Sequence, residues 1–138
     1  MGKVYMVQKH FTTMFRWHKF KPDEKGMEKV LGPLETAIMH IMWREEVSSA
    51  RDVYEIMRKD DKSTRRSTIS IMMNRLCERG LLDKRSEVGK GGERFIYKVR
   101  ITEEEFSQAV VSKVMRGLLD SFEDATIQYI KNHLSEKM

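Results

Sequence analysis

Residues 63–82 carry side chains suited to binding phosphate and DNA. Apolar side chains recur at the i, i+3, i+4, i+7 spacing of one helix face, at Ile69, Met72, Met73 and Leu76. The other positions hold arginines and short hydrogen-bond donors, namely Arg65, Arg66, Ser67, Ser70, Asn74 and Arg75. This pattern predicts a helix that packs by one side and offers cations and donors to a nucleic acid by the other. Gly80 is expected to end the helix, because glycine adopts the left-handed conformation at the lowest cost.

A β-hairpin is predicted directly after this helix. Two candidate strands, 82–87 and 94–100, flank a glycine-rich turn at 88–93. Apolar Phe95, Tyr97 and Val99 alternate with basic residues, so one face of the hairpin is expected to pack on the helix while the other stays in water. The helix, the glycine stop and the basic hairpin together predict a winged helix.

The residues predicted to contact double-stranded DNA lie on the helix and on the hairpin tip. Arg65, Ser67 and Thr68 are assigned to the groove or its phosphates, and Arg75 is left open between a phosphate contact and an ion pair within the chain. The full set is Thr64, Arg65, Arg66, Ser67, Thr68, Ser70, Asn74, Arg75, Lys90 and Arg94. An ordinary solvated helix face is the competing interpretation. The hairpin cations favour DNA, because backbone contacts need cations on both sides of an inserted helix.

Positive charge is concentrated in the same part of the chain. The 138 residues have a formal net charge of +5. Lys and Arg outnumber Asp and Glu by 7 to 3 in residues 1–30 and by 11 to 5 in residues 61–100, whereas the ratios are 4 to 6 in residues 31–60 and 4 to 7 in residues 101–138. This segregation predicts one basic face for a polyanion.

Three parts of the chain are predicted. Residues 1–30 form a basic N-terminal extension, whose aromatic residues leave three roles open: a membrane-surface helix, a minor-groove arm, or a segment that packs on a dimer. Residues 31–101 form a winged-helix DNA-binding domain, with a first helix from Pro33 to about Trp43 and a second helix capped at Ser49. Residues 102–138 form a C-terminal helical dimerisation region.

The two C-terminal helices have apolar faces that one small subunit cannot easily bury. A capping-box pattern at 102–105 opens the first of these helices, and the second opens near Ser121. The residues predicted to make dimer contacts are Phe106, Val110, Val114, Leu118, Ile127, Ile130 and Leu134. A homodimer would cover them. The predicted fold class is therefore mainly α with a small β-hairpin, a winged helix-turn-helix followed by dimerisation helices.

Catalytic and metal chemistry find no support in the sequence. The acidic runs 45–46 and 103–105 stand at helix ends, where carboxylates are expected, and the four histidines have no ligand spacing. Cys77 is the only cysteine, which excludes an intramolecular disulfide; it is interpreted as a packing residue, with oxidant sensing as the alternative. No enzyme activity, cofactor or metal is predicted. No apolar run is long enough for a membrane span, so a cytoplasmic protein with no membrane partner is expected.

The sequence resembles the penicillinase-repressor family over residues 31–101. The motifs that carry the resemblance are Leu34-Glu35, Ile38-Met39, Ile41-Met42-Trp43, Thr68-Ile69, Arg75-Leu76 and Gly80-Leu81-Leu82. The resemblance implies a winged-helix dimer that binds palindromic operators and represses transcription. It implies a recognition-helix role for Thr68 and for Arg75. Ser67 stands where the family usually has Lys, and Ile71 where Thr is common, which implies a different operator.

The resemblance does not extend to the known releasing signals of the family. Its antibiotic-responsive members are cleaved at an Asn-Phe bond in the C-terminal region, and its copper-responsive relatives carry Cys-x-Cys pairs; this chain has neither. No inducer or releasing partner is therefore assigned. The alternative function is a winged helix that serves as a protein-interaction module of a transcription complex.

Overall fold

The computed structural model of the protein describes residues 16–137. A short 3-10 helix, Gly26–Lys29, precedes the regular elements. These are α1 (Pro33–Arg44), α2 (Ala50–Met57), α3 (Arg66–Glu78), β1 (Leu82–Gly89), β2 (Gly92–Val99), α4 (Glu103–Ser121) and α5 (Glu123–Lys137). Their order confirms the predicted fold class, in which a helix-turn-helix is followed by a wing, the β1–β2 hairpin.

The first three helices pack around one apolar core. Its residues from these helices are completely buried, at Ile38, Met39, Val53, Ile69, Met73 and Leu76. The helical spacing explains their common burial, because residues three and four apart lie on one helix face. Ser49 caps α2 as predicted, since its hydroxyl accepts a hydrogen bond from the backbone N–H of Asp52 at 3.1 Å.

Gly80 ends α3 as predicted. Its φ is 87°, a conformation that residues with a Cβ avoid. The backbone N–H of Gly80 donates to the carbonyl of Cys77 at 3.1 Å, and the N–H of Leu81 donates to the carbonyl of Leu76 at 2.9 Å. These two bonds satisfy carbonyls of the last helical turn and direct the chain into β1.

The wing is longer, and its turn shorter, than the sequence pattern predicts. The antiparallel register runs from Leu82 opposite Val99 to Gly89 opposite Gly92, so that Lys90 and Gly91 alone connect the strands. The predicted turn at 88–93 is wrong because backbone pairing does not require apolar alternation. Gly92, the first residue of β2, has a φ of 97°, which allows the chain to enter the second strand directly after this short connection.

The segment before α1 contributes to the same core. Trp17 is buried, and the ammonium group of Lys113 in α4 donates to its carbonyl at 2.7 Å and lies 4.6 Å from its ring centroid. Packing of Trp17 within its own subunit is a role that the sequence did not suggest. The predicted roles of the aromatic residues Phe11 and Phe15 lie outside the described residues.

The start of α4 also belongs to the core, which corrects one predicted dimer contact. The predicted capping box is present, since the Thr102 hydroxyl accepts from the Glu105 N–H at 3.0 Å and the Glu105 carboxylate accepts from the Thr102 N–H at 2.7 Å. Phe106 is only 2% exposed and packs edge-on against Trp43, with ring centroids 5.6 Å apart. Its side chain is therefore not available to a partner subunit, because α4 uses its first turns to cover α1.

The later parts of α4 and α5 leave apolar side chains exposed. Val110 and Val114 are half-buried against the core, and Ile130 is half-buried on α5. Leu118, Ile127 and Leu134 are 39%, 38% and 52% exposed. The exposed apolar surface therefore begins about halfway along α4. No helix within residues 16–137 is long and apolar enough to cross a membrane.

Candidate nucleic-acid interface

A groove with a volume of about 1010 Å³ lies between α3, the start of α2 and the wing. We call it the α3–wing groove. On the α3 side its wall is formed by Arg66, Ser70 and Asn74, which are four residues apart and therefore share one helix face. Residues 49–52 form the α2 side, and the wing contributes Glu87, Gly89 to Phe95, and Tyr97. The structure thus brings five of the predicted DNA-binding residues to one concave surface, namely Arg66, Ser70, Asn74, Lys90 and Arg94. The other five predicted residues do not line this groove: Thr64, Arg65, Ser67, Thr68 and Arg75.

Four of the predicted DNA-binding cations are exposed and unpaired, and two of them, Arg66 and Lys90, line the groove. They are Arg65, Arg66 and Arg75 at α3 and Lys90 at the wing tip. Among residues 16–137, none of them has a carboxylate within salt-bridge distance. Arg75, for which the sequence left open either a phosphate contact or an ion pair, makes no ion pair with the described residues. All four charges are free to meet phosphate.

The first turn of α3 offers further donors. Arg65 is the N-cap residue and makes no side-chain capping bond, so the first backbone N–H groups of the helix have no side-chain acceptor there. Ser67 is exposed, and Thr64, Thr68 and Ser70 are half-buried. Backbone N–H groups and hydroxyls at a helix start suit the phosphates and base edges of DNA.

Arg94 differs from the other predicted cations because it already has a partner. Its guanidinium lies 3.3 Å from the carboxylate of Glu87, which also lies 3.7 Å from the guanidinium of Arg85. These side chains are largely exposed, and exposed ion pairs contribute no more than about 1 kcal/mol, so a phosphate can replace Glu87. Of the two predicted wing cations, Lys90 needs no such exchange.

Asn74 is held by the wing. Its side-chain oxygen accepts hydrogen bonds from the Tyr97 hydroxyl and from the Lys84 ammonium, both at 3.0 Å. Lys84 and Tyr97 are directly opposite each other in the hairpin, and Lys84 also lies 4.7 Å from the Phe95 ring centroid. Sequence reasoning missed these contacts. Alternation placed Tyr97 toward the helix, but no spacing rule identified the α3 residue that it reaches.

The last turn of α3 is anchored to the body of the protein instead of facing the groove. The Arg79 guanidinium lies 2.7 Å from the Glu35 carboxylate, and these side chains are only 26% and 17% exposed. The Arg79 Nε also donates to the backbone carbonyl of Arg16 at 3.0 Å. Arg79 therefore fixes the distal end of α3 against α1 and the N-terminal segment.

Cys77 lies half-buried against the core in this region. Burial raises the pKa of its thiol, which lowers the thiolate fraction at neutral pH. Since the thiolate is the form that reacts, the structure favours the packing role over oxidant sensing. Within residues 16–137, no cluster of His, Cys, Asp and Glu has the arrangement of a metal site.

Two solved structures match the chain at low sequence identity. The chain matches a PadR family transcription regulator from Clostridium difficile R20291 with 15% identity and a TM-score of 0.44, covering 72% of this chain and 99% of that one. It matches a PadR-like transcriptional regulator from Bacillus cereus strain ATCC 14579 with 21% identity and a TM-score of 0.42, covering 74% of this chain and 96% of that one. Among curated proteins, no sequence matches.

The family comparison covers most of the chain. Residues 31–138 match the penicillinase repressor family, a range that includes the helix-turn-helix, the wing and both C-terminal helices. The match extends beyond residue 101, where the sequence motifs end, and includes the two C-terminal helices. This protein therefore belongs to the penicillinase repressor family and is a DNA-binding transcriptional regulator.

Proposed function

We propose that the protein is a homodimeric repressor that binds a palindromic operator. Each subunit inserts α3 into a major groove of the DNA and places the wing against the neighbouring backbone. The observation that carries this proposal is the arrangement of unpaired cations, with Arg65 and Arg66 at the start of α3 and Lys90 across the α3–wing groove. Cations on both sides of an exposed helix are what phosphate contacts on both sides of a major groove require.

The proposed contacts are of two kinds: contacts with phosphates, which position the protein on the DNA, and contacts with bases, which read its sequence. Arg65, Arg66, Arg75 and Lys90 are the phosphate ligands, because their charges are exposed and free of ion pairs with the described residues. Thr64, directly before Arg65, offers a hydroxyl group to the same stretch of the DNA backbone. Ser67, Thr68 and Ser70 are the candidates for base edges, because short hydroxyl side chains allow the helix to approach the bases closely. Arg94 joins the wing contact by exchanging Glu87 for a phosphate.

Dimerisation follows from the apolar surface of α4 and α5. Leu118, Ile127 and Leu134 are exposed there, and so is Phe122 between the two helices. A two-fold symmetric dimer buries such a surface against itself and presents two α3 helices, which read two half-sites of an inverted repeat. Val110, Val114 and Ile130, which are half-buried, would form the edge of this contact.

Selection from a randomised pool of duplex DNA tests the proposal. We expect enrichment of an inverted repeat with half-sites about one helical turn apart, or a multiple of that spacing. Fluorescence-anisotropy titrations should then show a preference of about a thousandfold or more for the selected duplex over a scrambled one. Equal, salt-sensitive binding to both duplexes would contradict an operator-specific repressor. No binding to either would favour the protein-interaction module instead.

A further inference from the structure

We propose that Asn74 contacts operator DNA only as a hydrogen-bond donor, through its side-chain NH₂ group, and is therefore not an adenine reader. The inference rests on the proposed function, because it concerns how α3 reads an operator. It starts from the two hydrogen bonds that the wing donates to the oxygen of Asn74.

Both acceptor positions of that oxygen are filled. An amide oxygen has two lone pairs, and the Tyr97 hydroxyl and the Lys84 ammonium each lie 3.0 Å from the Asn74 Oδ1. An ammonium group has no acceptor, so the contact with Lys84 requires that the Asn74 oxygen, and not its NH₂ group, faces the wing; the Tyr97 hydroxyl beside the same oxygen then donates to it. The network therefore determines which way the amide faces.

The wing holds the two donors in place. Tyr97 is buried, and its backbone N–H donates to the Ser48 carbonyl at 2.6 Å, which fixes the strand against the segment before α2. A tyrosine hydroxyl is protonated at neutral pH, and burial raises the pKa of Tyr97 further. Lys84 is exposed, and it is kept beside the Asn74 oxygen by that hydrogen bond together with its cation–π contact with Phe95.

This arrangement restricts what Asn74 can recognise. Asparagine reads adenine by two bonds at once, donating to N7 and accepting from the N6 amino group. The second bond needs the oxygen that Tyr97 and Lys84 occupy. The NH₂ group remains, and it fits acceptors of DNA: a purine N7, the O6 of guanine, the O4 of thymine or a phosphate oxygen. Because Asn74 lines the α3–wing groove with Arg66 and Ser70, it lies on the helix face that meets the DNA.

The test uses a selected operator in which single atoms are removed. One series replaces each adenine in turn by purine, which lacks the N6 amino group. A second series removes one acceptor at a time, with base analogues for N7, O6 and O4 and with methylphosphonate linkages for the backbone. The affinities of wild type and Asn74→Ala for these operators then form double-mutant cycles. If Asn74 contacts the removed atom, its removal lowers the affinity of wild type but not that of Asn74→Ala.

We expect every adenine-to-purine replacement to weaken both proteins by the same factor. At least one acceptor deletion should weaken wild type about tenfold, as the loss of one good contact does, and leave Asn74→Ala unchanged. A coupled base analogue identifies a base contact, and a coupled methylphosphonate identifies a backbone contact. An adenine N6 group coupled to Asn74 would overturn the inference, and so would the absence of coupling to any acceptor.

Asn74→Asp separates donation from support of the wing. A carboxylate still accepts from Tyr97 and Lys84 but donates nothing, so this variant should retain the unfolding midpoint of wild type and lose the acceptor coupling. Persistence of that coupling in Asn74→Asp would contradict the inference. A selection that enriches no sequence would instead reject the proposed repressor function, so the two failures are distinguishable.

Discussion

Two arginines at opposite ends of α3 illustrate how partners decide the role of a residue. Arg66 is exposed beside the α3–wing groove and has no ion pair among the described residues, whereas Arg79 is partly buried against Glu35. Both belong to the same basic helix in the sequence. The free charge is suited to DNA, and the paired charge holds the helix in position.

Replacement of Arg66 by alanine should weaken DNA binding at all sequences. Each phosphate contact that is lost reduces the slope of log affinity against log salt by about one, so a dimer should lose about two. Salt titrations by fluorescence anisotropy measure this slope. Arg44→Ala is the matched control, because Arg44 is exposed at the end of α1 and makes only a weak contact with Glu103 at 3.9 Å. Equal slopes for the two variants would exclude Arg66 from phosphate binding.

Replacement of Arg79 by alanine should instead destabilise the fold. It leaves the Glu35 carboxylate without its partner in a partly buried position, and the expected loss is about 2 kcal/mol of unfolding free energy. Urea unfolding measures the loss. Arg75→Ala, on the exposed side of the same helix, should change the unfolding free energy by no more than about 0.5 kcal/mol. If both variants were equally destabilised, the Arg79–Glu35 pair would have no special structural role.

At the scale of elements, the wing depends on its connection as much as on its strands. Lys90 and Gly91 span the turn, and Gly92 follows with a φ of 97°. A Cβ on either glycine would meet no heavy atom within 4 Å, so packing does not distinguish them. Gly91 and Gly92 therefore differ in backbone conformation and not in the space around them.

Gly92→Ala should therefore destabilise the wing while Gly91→Ala should not. An L-residue at the φ of Gly92 costs roughly 1–2 kcal/mol, and Gly91 does not have a positive φ. Hydrogen exchange of the strand amides reports local opening of the wing, and operator affinity reports the position of Lys90. Faster exchange and weaker binding are expected for Gly92→Ala only. Identical behaviour of the two variants would show that the turn tolerates other conformations.

The whole molecule has a surface that one subunit leaves uncovered. Phe106 closes the core from α4, whereas Leu118, Ile127 and Leu134 are exposed beyond it. The proposed DNA-binding surface lies on other elements, α3 and the wing. A dimer through α4 and α5 would therefore leave both reading helices accessible.

Ile127→Glu should convert the proposed dimer into monomers. A carboxylate cannot be buried without a partner in an apolar contact, so the loss of association should be large. Sedimentation equilibrium measures the mass, and operator affinity should fall because one head reads only one half-site. Gln128→Glu adds the same charge at the neighbouring exposed position of α5 and should leave the dimer intact. A dimeric Ile127→Glu protein would place the subunit contact elsewhere.

The sequence alone determined features that depend on local chemistry. The 3.6-residue period identified the buried face of α3, Gly80 identified its end, and Thr102 with Glu105 identified the start of α4. These predictions were accurate because each rests on side chains within one or two helical turns. The basic face of α3 was identified in the same way, as a clustering of charge along one short segment.

The tertiary structure decided everything that depends on contacts between distant parts of the chain. Trp17 packs against Lys113 of α4, and Phe106 packs against Trp43. The side-chain oxygen of Asn74 accepts a hydrogen bond from Tyr97 in the wing. Periodicity shows that a residue faces inward, but it does not show which distant surface covers it. The dimer surface and the hydrogen-bonding capacity of Asn74 depend on that second fact, because a buried apolar ring or an occupied lone pair is no longer available to a partner.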